Sequence, residues 1–299
     1  LVSRRPGAEP ESEALINRST RGATDAVVWW AGPLAPRWGM TLLGGGHFQQ
    51  QTDVDEDGWA DLAGYSRGVV RPRFFWDGGN GRTFFATTGV TYEDRNGGTL
   101  PGRALPAANI PYREAIETLR MDAGAVGQTL LQGKYVLTAR FALAEQRHDH
   151  QFGEIRERDR HHTAFGEVTL RGTAGRHLWV GGLAVERDAY RPKDVRPFQY
   201  TFTVPGVFVQ DDLEVAKWLS LTAGARVDHH SAYGAFFSPR VSALLRSGRW
   251  SSRLSAGGGF FGPSPLTEET EAAGLSRLSI PRPLRAERAQ SASVDLTRA

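Results

Sequence analysis

Polar and apolar residues alternate along most of the chain, in segments of about ten residues. The clearest segment is 219–228, in which apolar side chains occupy every second position. They are Leu219, Leu221, Ala223, Ala225 and Val227. A period of two predicts a β-strand with two different faces. Because the apolar face has few large residues and the polar face carries Arg226, the pattern is typical of a membrane β-barrel, with lipid outside and a polar lumen inside.

The same alternation predicts about fourteen antiparallel strands. They lie near residues 13–19, 24–31, 40–49, 67–76, 84–92, 119–131, 134–146, 160–171, 176–188, 203–215, 217–229, 236–247, 249–260 and 286–298. Tight turns at 132–133, 173–175, 217–218 and 247–249 alternate strictly with mostly longer connections near 51–64, 94–118, 147–159, 189–202, 229–235 and 261–285. Outer-membrane barrels sort their connections in this way, with short periplasmic turns and longer extracellular loops.

One helix is predicted, at residues 265–276, inside the last of these connections. Ser264 is suited to cap it, and Pro265 is suited to its first position. The helix would therefore lie in an extracellular loop.

Composition narrows the classes of function. The chain has 36 basic and 33 acidic residues among 299, and the basic ones are spread along it, which argues against a nucleic-acid surface. It has no cysteine, and no apolar run reaches the roughly 18 residues of a membrane-spanning helix. We find no nucleophile elbow, phosphate-binding glycine loop or metalloprotease motif, so the sequence does not predict an enzyme.

Several segments together resemble the TonB-dependent receptors, the active nutrient transporters of Gram-negative outer membranes. LVSRRPG is similar to the end of the family's plug domain, and AGPLAPRWG to the turn between its second and third strands. The segment VFVQDDLEVAKWLSLTAGARVDHHSAYGAFFSPRVSALL resembles the pattern of the family's middle-barrel strands. GFFGPSPLTEET resembles a strand that leads into a loop helix, and LRAERAQSASVDL resembles the strand beyond it.

The resemblance implies an N-terminal plug inside a barrel of about 22 strands. Residues 1–10 are then the end of the plug and its linker, and residues 11–299 are the N-terminal portion of the barrel. We expect about eight more strands and nearly all of the plug to lie outside this chain, which should not close or transport by itself.

Location and partners follow from the same resemblance. It implies a protein of the bacterial outer membrane, monomeric at full length, that imports a scarce ligand of the siderophore or cobalamin class. Its expected partners are that small molecule, lipid and lipopolysaccharide, and the inner-membrane TonB complex through the missing plug segment, but no nucleic acid.

Two other interpretations remain open at this point. One is a plugless channel or adhesin barrel that is complete with fourteen strands. The other is a soluble all-β carbohydrate-binding module, which would require large aliphatic residues on one face of every strand. The outward faces are instead rich in glycine, alanine and threonine, which argues against the soluble module.

The acidic run at 53–61 has the pattern D-x-D-x-D-G-x-x-D, a spacing that wraps carboxylate oxygens around calcium. The candidate ligands are Asp53, Asp55, Asp57 and Asp61. Gly64 stands where a bidentate glutamate is expected, so calcium would be held weakly or with help from another loop. The alternative is a solvated acidic loop. Calcium is the one cofactor that the sequence suggests.

Six of the eight histidines lie at the loop-side ends of predicted strands. They are His148, His150, His161, His162, His229 and His230. Imidazoles that converge on an extracellular mouth can bind a metal chelate or haem, although the sequence shows no ligand spacing that selects a subset. The alternative is that these histidines are scattered in solvent.

Arginines recur on the predicted lumen-facing side of the strands. Those that we expect to contact the lumen or the plug are Arg71, Arg140, Arg171, Arg226 and Arg240. Since unpaired charge in a confined interior is costly, they should pair with Glu167, Asp228, Asp295 or plug carboxylates. An anionic substrate path is the alternative.

Overall fold

The computed structural model describes residues 5–103, 110–266 and 274–298, and most of these residues form one antiparallel sheet. Each strand pairs with the strand before it in the sequence, so that the sheet order is the chain order. The strands are β1 (Glu11–Arg18), β2 (Thr24–Ala35), β3 (Trp38–Gln49), β4 (Gly64–Gly79), β5 (Arg82–Gly98), β6 (Arg113–Leu131), β7 (Tyr135–Phe152), β8 (Ile155–Ala174), β9 (His177–Pro192), β10 (Tyr200–Ala216), β11 (Leu219–His230), β12 (Gly234–Ser247), β13 (Trp250–Phe261) and β14 (Glu287–Arg298). The predicted all-β fold with fourteen antiparallel strands is confirmed.

The sheet has two chemically different faces. We call the face with Arg71, Arg140 and Arg226 the inner face and the opposite one the outer face; the strand register keeps each set on one side. On the outer face, Leu183 is 65% exposed and Phe237 is 64% exposed. Among the described residues, no large side chain is fully buried. A soluble sheet would cover such apolar residues with a second layer, so this face is suited to contact lipid.

Aromatic residues mark the end of the sheet with the short turns, which we call the turn end. Trp38 packs against Trp76 and Phe84, with ring centroids 6.3 and 6.5 Å away. Trp218 and Trp250 adjoin two other short turns and are 56% and 48% exposed. An aromatic girdle of this kind is typical of the boundary between lipid and water.

Strands in the middle of the sheet extend beyond the bilayer at the opposite end, the loop end. Strand β8 has 20 residues, whereas crossing a membrane takes about ten, which leaves roughly 30 Å of strand outside the hydrocarbon. The long loop predicted at 147–159 is therefore wrong, because β7 and β8 continue to a two-residue turn at 153–154. The predicted strict alternation of tight and long connections fails there for the same reason. The outer face of this extension is polar rather than apolar, so the apolar half of the alternation that reveals a membrane strand is missing.

Two predictions fall largely on residues outside the described ranges. The helix predicted at 265–276 is one of them; of its residues, 265–266 and 274–276 are described, and Leu275–Arg277 form a short 3-10 helix. Residues 1–4 of the predicted plug end are the other, and the division into residues 1–10 and 11–299 stays a prediction. In the described ranges, none of the helices has the length and apolar character needed to cross a bilayer.

Candidate ligand-binding face at the loop end

Four of the six candidate histidines lie on the inner face at the loop end. His148 and His150 are on β7, His161 is on β8, and His230 ends β11. His162 lies on the outer face, where its Nδ1 is 3.5 Å from the Glu145 carboxylate.

His229 also points to the outer face, since it alternates with the inner-face Asp228 and His230 along β11. His162 and His229 therefore do not share a surface with the other four histidines.

Ring contacts join these histidines and neighbouring aromatic residues into two groups, which Asp159 links through His148 and Tyr190; we call the whole surface the aromatic belt. It consists of His148, His150, Phe152, His161, Tyr190, Tyr200, Phe202, His230 and Tyr233. Tyr200 lies 4.5 Å from Phe202 between ring centroids, and Phe202 lies 4.8 Å from His230. These spacings are typical of favourable aromatic pairs.

Carboxylates fix the rings of the belt. Asp159 bonds His148 Nδ1 at 2.9 Å and accepts a hydrogen bond from the Tyr190 hydroxyl at 3.2 Å. Asp188 similarly contacts His161 Nε2 at 2.5 Å. Each carboxylate thus orients polar rings that would otherwise rotate freely, which produces a preformed surface.

The sequence did not reveal the tyrosines, Phe152, Phe202 and the two carboxylates of this surface. Pairs such as Tyr200 and Phe202 have the i, i+2 spacing of one strand face. That signal is usable only once β9 and β10 are known to extend past the membrane and to lie beside β8 and β11.

The connection between β13 and β14 contacts the β7–β8 hairpin across the inner face. Glu157, on β8, accepts hydrogen bonds from the backbone N–H groups of Leu275 and Ser276, at 2.7 and 2.8 Å. Leu275 is only 3% exposed. In the same connection, the carbonyl of Pro263 accepts a hydrogen bond from the Tyr233 hydroxyl at 2.7 Å. The described parts of the connection therefore contact the aromatic belt at Tyr233 and the β7–β8 hairpin at Glu157.

Ion pairs cover much of the inner face lower in the sheet. Arg71 makes two bonds of 2.6 Å to Asp122, one to each carboxylate oxygen. The pairs predicted with Glu167 and Asp228 are present too: Arg140 lies 2.6 Å from Glu167, and Arg226 lies 2.7 Å from Asp228. Pairing of this kind offsets the cost of holding charge in a confined lumen.

The candidate arginines Arg171 and Arg240 differ from these three in their ion pairing. In the described ranges, Arg171 and Arg240 form no ion pair with a carboxylate of this chain, and Arg240 lines a depression of about 900 Å³. The predicted partner Asp295 stands opposite Arg253 in the strand register, but its carboxylate accepts the Thr297 hydroxyl at 3.1 Å. Contact of these arginines with a plug stays a prediction.

The acidic loop between β3 and β4 brings three of its four predicted calcium ligands together. Single carboxylate oxygens of Asp53, Asp55 and Asp61 all lie within 4.8 Å of one another. Asp57 is outside this set, and its Oδ1 accepts the Trp59 N–H at 2.8 Å. Oxygen ligands at this separation fit a hard cation such as calcium.

Charge in this loop is crowded. A hydrogen bond from the Asp57 N–H lowers the pKa of the Asp55 carboxyl, but partial desolvation and the negative charges of Asp57, Asp61 and Asp53 outweigh it and raise that pKa. A bound cation would relieve the repulsion. Calcium binding itself stays a prediction.

Comparison with known proteins identifies the fold. The profile of the family described as "TonB dependent receptor-like, beta-barrel" matches residues 37–296. The chain belongs to this family of TonB-dependent receptor barrels. This family consists of transport receptors rather than enzymes, and its members are outer-membrane proteins, so the protein is located in the bacterial outer membrane. No curated protein matches the sequence significantly.

Solved structures of TonB-dependent receptors share the fold. The siderophore receptor PirA from Pseudomonas aeruginosa aligns over 88% of this chain and 45% of its own, with 14% identity and a TM-score of 0.66. The ferric yersiniabactin uptake receptor FyuA from Yersinia pestis aligns over 99% of this chain and 53% of its own, with 12% identity and a TM-score of 0.70. The chain thus spans about half the length of these receptors.

Membership in this family orients the sheet in the outer membrane. The turn end is periplasmic and the loop end is extracellular, as in other barrels of the outer membrane. The aromatic belt therefore lies on the lumen side of the barrel wall at its extracellular mouth, above the ion pairs of Arg71, Arg140 and Arg226.

Proposed function

We propose that this barrel wall belongs to a receptor that binds a ferric siderophore at its extracellular mouth and imports it. The aromatic belt is the observation that carries the proposal. Nine rings on the lumen side, four of them oriented by Asp159 and Asp188, form a surface on which the aryl groups of a ferric chelate can stack. Receptors for ferric enterobactin and ferric yersiniabactin are among the proteins with this fold.

Charge supports the same class of ligand. Many ferric siderophores are anionic, and the inner face below the belt carries Arg171 and Arg240 without a carboxylate partner in the described ranges. Such guanidinium groups favour an anion that moves inward, and they also suit the carboxylates of a plug. Cobalamin, the second ligand class indicated by the resemblance, carries a single benzimidazole instead of several aryl groups and lacks the negative charge of such chelates, so we place it second.

The remaining partners are part of the proposal. Energy would come from the inner-membrane TonB complex through a plug whose end and linker are residues 1–10, with residues 11–299 in the barrel. The outer face, with its exposed aliphatic and aromatic side chains, would contact lipid and lipopolysaccharide around a monomeric receptor.

Substitutions in the belt test the proposed ligand. We expect Tyr200→Ala and Phe202→Ala each to weaken binding of ferric enterobactin or ferric yersiniabactin at least tenfold, because each removes a stacking ring. Binding is measured by quenching of tryptophan fluorescence in the purified, detergent-solubilised protein. Cyanocobalamin, which represents the alternative ligand class, is titrated in parallel. Phe141→Ala, on the lipid-facing side, is the control and should change nothing. Absence of binding to both chelates, or equal losses in the control, would refute the proposal.

Calcium binding by the acidic loop is a separate proposal. Calorimetric titration should show weak binding, with a dissociation constant on the order of 0.1–1 mM, as expected for a site with few ligands. Asp61→Asn should weaken it at least tenfold, whereas Asp57→Asn should have a much smaller effect because Asp57 lies outside the converging set. Absence of calcium-dependent heat, or a larger loss in Asp57→Asn than in Asp61→Asn, would contradict it.

A further inference from the structure

Three side chains with metal-binding atoms meet on the extracellular extension of the β7–β8 hairpin. His148 and His150 are two residues apart on β7, and Asp159 stands opposite His148 on β8. One ligand atom from each lies within 4.8 Å of the other two. Residues two apart on a strand share a face, and a directly opposed residue shares it too, so the backbone itself brings this set together.

Neighbouring groups hold these ligands in place. The Tyr190 hydroxyl donates a hydrogen bond to Asp159 Oδ2 at 3.2 Å, while Oδ1 faces His148 Nδ1 at 2.9 Å. The Phe152 ring stacks on His150, with centroids 5.6 Å apart. Partners of this kind orient ligating side chains and typically change metal affinity about 10–100-fold. The ligands are thus positioned before any cation arrives.

The residues around this set determine which side-chain atoms can bind a cation. The side chain of His148 is 20% exposed and that of Asp159 is 10% exposed, so both are largely shielded from water but accessible from the lumen. Glu157 stands opposite His150, but its two oxygens accept the N–H groups of Leu275 and Ser276. The set therefore consists of two imidazoles and one carboxylate.

This donor set selects a class of cation. Calcium and magnesium prefer oxygen ligands throughout, whereas two imidazole nitrogens favour zinc, copper or nickel. Three protein ligands are the number found in zinc sites that keep one coordination position open. The acidic loop at 53–61 offers only oxygen and belongs to the other class.

We propose that His148, His150 and Asp159 bind a first-row divalent transition cation, with Zn²⁺ as the representative ion, at the extracellular mouth of the barrel. The open position of the cation faces the lumen and can accept a donor atom from a second molecule. The site takes the cation itself, so it does not depend on the siderophore proposal.

Titration of the full chain in detergent with ZnCl₂ tests the site. We expect one zinc ion per chain, and we expect His150→Ala and Asp159→Asn each to lower the affinity at least tenfold. His162→Ala is the matched control: it removes a histidine of the same hairpin that lies on the outer face, and it should leave the affinity unchanged. CaCl₂ in excess should not displace the zinc.

Cobalt provides a second readout that does not rely on affinity alone. Co²⁺ bound by His148, His150 and Asp159 should give visible absorption bands that change in His148→Ala and stay the same in His162→Ala. Folding of each variant is checked by the β-sheet signal in far-ultraviolet circular dichroism; if Asp159→Asn does not fold, the two histidine variants provide the test. The proposal would be overturned if the double variant His148→Ala/His150→Ala had the zinc affinity and cobalt spectrum of the wild type. It would also be overturned if His162→Ala lowered the zinc affinity as much as His150→Ala does.

Discussion

Asp122→Ala is expected to lower the free energy of unfolding by about 2–3 kcal/mol, because it leaves the Arg71 guanidinium without its carboxylate inside the barrel wall. The two side chains are only 24% and 16% exposed and make two bonds of 2.6 Å. Removing one partner of a fully buried pair costs about 3–5 kcal/mol. We expect the smaller cost of about 2–3 kcal/mol for Asp122→Ala because water still reaches part of this pair.

Urea unfolding in detergent micelles, followed by circular dichroism, measures the effect. The variant Arg71→Met/Asp122→Leu, which replaces both charged groups with apolar ones and leaves no charge unpaired, should lose less stability than Asp122→Ala alone. Asp94→Ala removes an exposed carboxylate from β5 and is the control. If Asp122→Ala were no more destabilising than Asp94→Ala, the pair would have no structural role.

Gly89 is part of the same arrangement. It stands opposite Asp122 in the register of β5 and β6, and a Cβ atom there would overlap the Arg71 guanidinium. The arginine thus reaches across β5 over a residue without a side chain. Any larger residue at this position would push the guanidinium away from Asp122.

This ion pair also shows where prediction from sequence ends. Arginines on the polar face of the strands predict pairing with Glu167, Asp228, Asp295 or plug carboxylates, without assigning individual pairs. In the structure, Arg140 pairs with Glu167 and Arg226 with Asp228, whereas Asp295 accepts the Thr297 hydroxyl. Asp122 was not named, because it reaches Arg71 across an intervening strand through the space above Gly89. Such a contact depends on the register of three strands, which alternation alone does not fix.

The membrane-spanning part of the fold was more predictable than the extracellular part. Inside the bilayer, one face of each strand must be apolar, so residues such as Leu221 and Val227 reveal the strand directly. Beyond the bilayer this requirement disappears. The alternation therefore predicts a loop where the strand extension from His148 to Phe152 lies, and it does not reveal the aromatic belt that depends on this extension.

Glu157→Ala is expected to release the connection between β13 and β14 from the wall of the barrel. The backbone N–H groups of Leu275 and Ser276 donate hydrogen bonds to Glu157, and in the variant both would lose their acceptor. Each loss costs about 1–3 kcal/mol. Leu275, now 3% exposed, would open to solvent more often. The wild-type connection should resist trypsin at Arg277, whereas the variant should be cut there at least tenfold faster, since cleavage follows the population of the open form.

Two controls separate this contact from a general loosening of the hairpin. Glu154→Ala removes an exposed carboxylate from the turn of the same hairpin and should leave the cleavage rate at Arg277 unchanged. Glu157→Gln keeps one acceptor oxygen and should give an intermediate rate. Because Glu157 is not among the proposed metal ligands, zinc affinity should remain close to that of the wild type in Glu157→Ala. Equal cleavage rates in all three variants would show that other contacts, such as that of Tyr233 with Pro263, hold the connection.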